Sequence, residues 1–293
     1  MTYNFFTVDH LLSSRISDSL ASVLHVAPSA VDVADAEGDQ DDRNWEALVL
    51  CDRTRVPGDV SLALDVFVQE AVTDRPTEAE CAAKFAAAAQ TVVLYPAEER
   101  IPSAYWLVTP TGLVTRARLM ASDDEQPVYS LDAVEAAVPQ LPGIRAMQLP
   151  EIVREQHVPT PSTAEFTSAV NTLRRNEQDS ADSALSDDVG TPLYGARVHL
   201  AEWERMVRRM ESGWQPTGRY PAELYREALR ARDRLSLLTD ELAEPVPGLL
   251  RKAVDQLDEE FRRHTESDTP SVATAEQGWW WHRKPVLLPW SDN

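Results

Sequence analysis

Apolar residues in this chain recur first at helical and then at strand spacing. Over residues 9–25, Leu11, Leu12, Ile16, Leu20 and Leu24 fall on one helical face. A short alternation follows at Val31-Asp32-Val33. The segments WEALVLCDR (45–53) and VSLALDVFV (60–68) alternate apolar and polar residues around Val56-Pro57-Gly58-Asp59, which predicts a β-hairpin. Residues 77–90 are Ala-rich and open with Thr77 and, three positions on, Glu80; this capping-box pattern predicts a helix. TVVLYP (91–96) reads as a buried strand. SAYWLVT (103–109) and LVTRARLM (113–120) flank Pro110-Thr111-Gly112 as a second hairpin, and short strands are expected around 127–136 and 144–149. Long βαβ alternation is absent. The pattern predicts an α+β domain over 1–157, built on a mixed, mainly antiparallel sheet with two or more helices.

The pattern then breaks. Residues 158–190 are rich in Ser, Thr, Asp, Asn and Pro and read as a polar linker with one short helix at 163–175. Helical periodicity returns in three runs. Val198, Ala201, Trp203, Met206, Val207 and Met210 form a stripe over 196–214. Leu224, Ala228, Leu235, Leu238 and Leu242 recur over 221–242, with Pro221 at a first helical position. Leu250, Val254, Leu257 and Phe261 repeat over 247–265. The short connection at Glu244–Pro247 implies an antiparallel pair. The expectation is a three-helix domain over 191–270, followed by a Trp-rich tail over 271–293.

Charge changes this picture most. Residues 1–190 carry 31 Asp and Glu against 13 Lys and Arg, whereas residues 191–293 carry 17 against 15. A field this acidic favours a basic protein partner and opposes nucleic acid. The tightest concentration is Asp35, Glu37, Asp39, Asp41 and Asp42, the expected partner-facing carboxylates. The first four alternate, and Glu46 lies eleven residues after Asp35, which touches on calcium-loop spacing. Gly38 sits at the fourth position instead of the sixth, so a solvated or partner-facing loop is the better reading.

Trp279-Trp280-Trp281, with Arg283, is the other candidate contact segment. Three consecutive residues cannot all face one side of a regular element. Two readings stand: a docking segment for a partner or a second copy, or an arm folded back on its own domain with Arg283 or Lys284 on a ring.

Catalytic patterns are missing. The sequence has no G-x-G-x-x-G, Walker A, G-x-S-x-G or H-E-x-x-H pattern, so no cofactor, metal or catalytic residue is expected. Glu260, His264 and Asp268 stand at i, i+4 and i+8, and His199 and Glu202 share a face, but all lie among other charges. Asp59 and Asp65 are about 20 Å apart along a strand, too far for one acid/base pair. Cys51 and Cys81 fit small buried thiols. Two cysteines, no basic leader and no long apolar run predict a cytoplasmic protein with no membrane span.

LDEEFRRHT (257–265) and GWWWHRKP (278–285), in the last quarter of the chain, resemble a group of small acidic actinobacterial proteins found beside secreted toxins. In physical type the chain is similar to toxin-immunity proteins. That resemblance implies a non-enzymatic inhibitor of a basic partner; a structural subunit using the Trp tail and an enzyme with an inter-domain site are the alternatives.

Overall fold

The computed structural model describes residues 1–41, 43–97, 100–176, 186–268 and 278–290. The fold is α+β. The chain divides into two compact units, Met1–Gln156 and His157–Asn293.

The first unit is built on one nine-stranded sheet. Its strands are β1 (Thr2–Thr7), β2 (Val31–Asp35), β3 (Val49–Arg55), β4 (Leu62–Val68), β5 (Val93–Pro96), β6 (Ala104–Val108), β7 (Val114–Ala121), β8 (Tyr129–Val134) and β9 (Arg145–Ala146). Their order is β2-β3-β4-β1-β5-β6-β7-β8-β9. Only β2–β3 and β8–β9 pair in parallel. Both expected hairpins form, β3–β4 and β6–β7. β1 carries no turn signal, yet it sits mid-sheet between β4 and β5 because Tyr3, Phe5 and Thr7 alternate inward. The strand expected at 144–149 shrinks to two residues, and Pro150 opens a short helix, α3 (Pro150–Glu155).

Helices α1 (Ser13–Leu24) and α2 (Glu78–Ala89) cover one face of the sheet. Ile16, Leu20 and Leu24 from α1 and Cys81, Phe85 and Ala89 from α2 join Phe5, Val49, Cys51, Leu64 and Val66 in one core. The capping box is present as expected. Thr77 Oγ1 accepts the Glu80 N–H at 3.3 Å, and Glu80 Oε2 accepts the Thr77 N–H at 2.9 Å. Farther along the same face, Arg116 and Arg118 of β7 fasten α3. Arg116 lies between Glu135, at 2.7 Å, and Gln156, while Arg118 pairs with Asp132 and Glu151.

The opposite face curls on itself. The β3–β4 turn crosses to β8, where Asp59 N–H donates to Tyr129 O at 2.7 Å and Tyr129 N–H donates to Pro57 O at 2.9 Å. Asp59 Oδ2 also accepts the Leu131 N–H at 2.7 Å. The curl encloses a second core of Leu94, Leu107, Ala117, Leu119, Leu131 and Val134. Gly58 permits the closure: its φ is +118°, and a Cβ there would stand 1.9 Å from Tyr129 O.

The second unit holds α4 (Pro161–Asn176), α5 (Pro192–Glu211), α6 (Ala222–Glu241) and α7 (Val246–Arg263), with a small ribbon of β10 (Thr265–Ser267) and β11 (Arg283–Pro285). The short helix expected at 163–175 within the polar linker is present as the sixteen-residue α4, and it belongs to this unit and not to a linker. Thr163, Phe166 and Val170 give it a buried face despite its polar composition. Its first turn is satisfied by Glu204 of α5, which accepts the Ser162 and Thr163 N–H groups at 2.8 Å each. Residues 177–185 lie outside the described residues.

The buried stripe of α5 is Leu193, Ala196, Leu200, Trp203 and Val207; Val198, expected inside, is 41% exposed. In α7, Leu250, Val254, Leu257 and Phe261 are all buried as the spacing predicts. Arg232 of α6 bonds Asp258 of α7 at 3.0 and 2.9 Å, at near-equal distances from the connection, as in an antiparallel pair.

Candidate functional site

The acidic loop after β2 is pinned, chiefly by one arginine. Arg43 Nε donates to Asp32 Oδ2 at 2.9 Å, and its Nη1 bonds Asp52 and Gln40. The guanidinium lies over the Trp45 ring at 4.6 Å, and the side chain is only 4% exposed. Gln40 in turn donates to Asp35 O at 2.8 Å. Asp35 Oδ1 accepts the Glu37 N–H and Asp39 Oδ1 accepts the Asp41 N–H, so each carboxylate tightens the turn it stands on. Of the expected partner-facing carboxylates, Glu37, Asp39 and Asp41 point to solvent, whereas Asp35 is half-buried and faces Arg53 at 3.6 Å. Asp42 lies outside the described residues. No group of three or more His, Cys, Asp or Glu among the described residues could hold a metal ion.

Beside this loop lies the face of β1, β3 and β4 that α1 and α2 leave open. Asp52 of β3 stands directly opposite Asp65 of β4, with Asn4 of β1 on the other side. Two residues along, Phe67 stands between Leu50 and Thr2. Asn4, Asp65 and Phe67 are exposed, Phe67 to 47%; Trp45, in the loop that leads into β3, is 57% open. The Asp65 carboxyl is pushed above its usual range, first by desolvation and then by the facing Asp52 charge. The surface therefore combines exposed aromatic rings with facing carboxylates. The alternation in 45–53 and 60–68 places Leu50 and Asp52, and Asp65 and Phe67, on the outward phase. The missing signal was the register that sets them side by side.

The tryptophan tail lies against its own unit, as in the second of the two readings given for it. Residues Trp279–His282 form one 3₁₀ turn. Trp280 Nε1 donates to Asp233 Oδ1 at 2.9 Å, and Trp281 Nε1 donates to both oxygens of the same carboxylate at 3.1 and 3.0 Å. Arg232 lies over the Trp280 ring at 4.2 Å, and Arg262 lies over Trp279 at 3.8 Å. Trp279 also packs against Phe261. Trp280 and Trp281 thus converge on Asp233 of α6, while Trp279 meets Phe261 and Arg262 of α7. Arg283 stacks on no ring; it donates to Thr265 Oγ1 and Thr265 O at 2.6 Å and to Arg262 O at 3.1 Å. Farther on, Trp214 Nε1 donates to Leu287 O at 2.8 Å, and Trp290 packs on Tyr225. Trp279, Trp280, Trp281 and Arg283 are consumed within their own unit.

The remaining candidates resolve simply. Cys51 and Cys81 are fully buried. Burial pushes the Cys51 thiol far above its usual range and the Cys81 thiol up to about 12, which suits inert core residues and not nucleophiles. α7 ends at Arg263, so Asp268 does not share a helix face with Glu260 and His264. Asp59 is occupied in the turn to β8. His199 Nδ1 stands 3.7 Å from Glu202, whose carboxyl is raised mainly by desolvation, partly offset by His199. No helix among the described residues is long and apolar enough to cross a membrane. No family model, no curated protein and no solved structure matches this chain.

Proposed function

We propose that this chain is a non-enzymatic acidic protein-binding module that engages a basic protein, most concretely an immunity- or antitoxin-like inhibitor acting in the cytoplasm. One observation carries the reading: the helix-free face of β1, β3 and β4 holds exposed Phe67 beside the facing Asp52 and Asp65, and Trp45 stacks on Arg43, the arginine that bonds Asp52. Aromatic rings supply contact area with little loss of side-chain freedom, and carboxylates steer and orient a cationic partner. The surrounding field has the matching sign, with 25 Asp and Glu against 11 Lys and Arg in residues 1–156. The same sign opposes nucleic acid as the partner. The assembly-subunit alternative would use the Trp tail, of which Trp280 and Trp281 bond Asp233 of the same unit.

The test is association with the protein encoded by the neighbouring reading frame, followed by stopped-flow fluorescence. The expected association rate falls by about ten-fold or more between 20 and 200 mM salt. A rate indifferent to salt would remove the electrostatic account.

A further inference from the structure

The open sheet face repeats, one strand over, an arrangement that the chain already uses on an arginine of its own. Arg43 is held by the carboxylates of Asp32 and Asp52 and lies over the Trp45 ring. On β4, Asp65 and Phe67 present the same two kinds of group, two residues apart and therefore on one face. Asp52 stands directly opposite Asp65, and Leu50 directly opposite Phe67. Directly opposed Cβ atoms lie about 4.5–5.5 Å apart, so one side chain can span both pairs. Arg43 reaches Asp52 but makes no ion pair with Asp65, which has no cationic partner among the described residues.

We propose that this face seats an arginine side chain of the basic partner, its guanidinium against Asp65 and Asp52 and its stem across Phe67 and Leu50. The proposal rests on the reading of the chain as an acidic binder and names the chemistry that its surface selects. Arginine fits better than lysine because a planar guanidinium meets a carboxylate and stacks on a ring at once, whereas an ammonium is a compact, strongly hydrated point charge. The Asp65 carboxyl is raised first by desolvation and then by the facing Asp52, and an incoming guanidinium would offset the second of these. A second copy of this chain would bring like charges toward this face, so charge complementarity favours a basic partner over self-association here.

The experiment titrates the full-length, isotope-labelled chain with two capped peptides, Gly-Arg-Gly-Arg-Gly-Arg-Gly and its lysine counterpart, at low salt. The expected result is saturable movement of the Leu50, Asp52, Asp65 and Phe67 amides, with the arginine peptide about three-fold tighter or better. Asp65→Asn weakens the arginine peptide by about five-fold, and Phe67→Ala erases the preference over lysine. Asp39→Asn, on the neighbouring loop, changes the affinity less than about two-fold. All three positions are exposed, so the variants keep the remaining amide spectrum. Amide movement confined to residues 36–46, or equal affinity for both peptides, overturns the arginine site and leaves the basic-partner reading standing. Binding of neither peptide overturns both.

Discussion

Asp65 faces Asp52 across the β3–β4 pair, and only Asp52 has a guanidinium against it. Like charges directly opposed in a sheet destabilise it, and Arg43 offsets the Asp52 side of the pair while Asp65 has no ion pair of its own among the described residues. The sign of its pH dependence follows from the raised Asp65 carboxyl. The folded chain holds this proton to higher pH than the unfolded chain does, so stability falls as pH rises through the carboxylate range and the deficit persists at neutrality. Asp65→Asn is therefore expected to raise the melting temperature at pH 7 by roughly 1–2 °C, allowing for solvent screening. Below the unfolded carboxyl pKa of about 3.9 the gain vanishes. Calorimetry at pH 7 and pH 3 checks both halves.

Asp233 accepts from two indoles, and its loss leaves Trp280 and Trp281 without their acceptor. Asp233→Ala is expected to destabilise the second unit by about 1–3 kcal/mol and to red-shift the tryptophan emission as the turn loosens. Gly278→Ala reaches the same end by another route, since a Cβ there would stand 2.2 Å from the Trp280 ring. An unchanged emission spectrum in both variants would mean that the turn is not held as described.

Gly58→Ala drives a methyl group into Tyr129 O and places alanine at a positive φ. A loss of about 2–4 kcal/mol is expected, and faster hydrogen exchange should be concentrated in β8 and the β3–β4 turn. Urea unfolding and exchange mass spectrometry provide the readout. Uniform exchange across the sheet would show that the turn does not hold the curl.

Arg116 and Glu135 form an ion pair buried on both sides, with 2% and 1% of the side chains exposed. Arg116→Met strands the carboxylate and is expected to cost about 3–5 kcal/mol. The double variant Arg116→Met/Glu135→Leu should recover most of that loss, which a double-mutant cycle measures directly.

Elements with a strong local signature were readable from the chain alone. Thr77 and Glu80 marked the start of α2, Pro110-Thr111-Gly112 marked the β6–β7 turn, and the Leu250–Phe261 spacing marked α7. β1 was hidden because its partners are distant in sequence: Phe5 pairs with Leu64, and Phe6 with Leu94. α4 was visible as a short helix at 163–175, but its place in the second unit was hidden because its first turn is completed by Glu204, some forty residues away. The candidate surface was half legible. Asp65 and Phe67 show their outward phase in the alternation, but that Asp52 lies beside Asp65 is a fact of register. The tail misled in the opposite sense, since nothing local reveals that Asp233 waits for two of its tryptophans.

The central place of β1 orders events during synthesis. β1 precedes one neighbour, β4, by some sixty residues and the other, β5, by about ninety. The segment, with two phenylalanines and a tyrosine, is paired on both sides only once β4 and β5 are both present, a long-range closure that slows assembly. A nascent chain halted before residue 96 is therefore an obvious client for a chaperone.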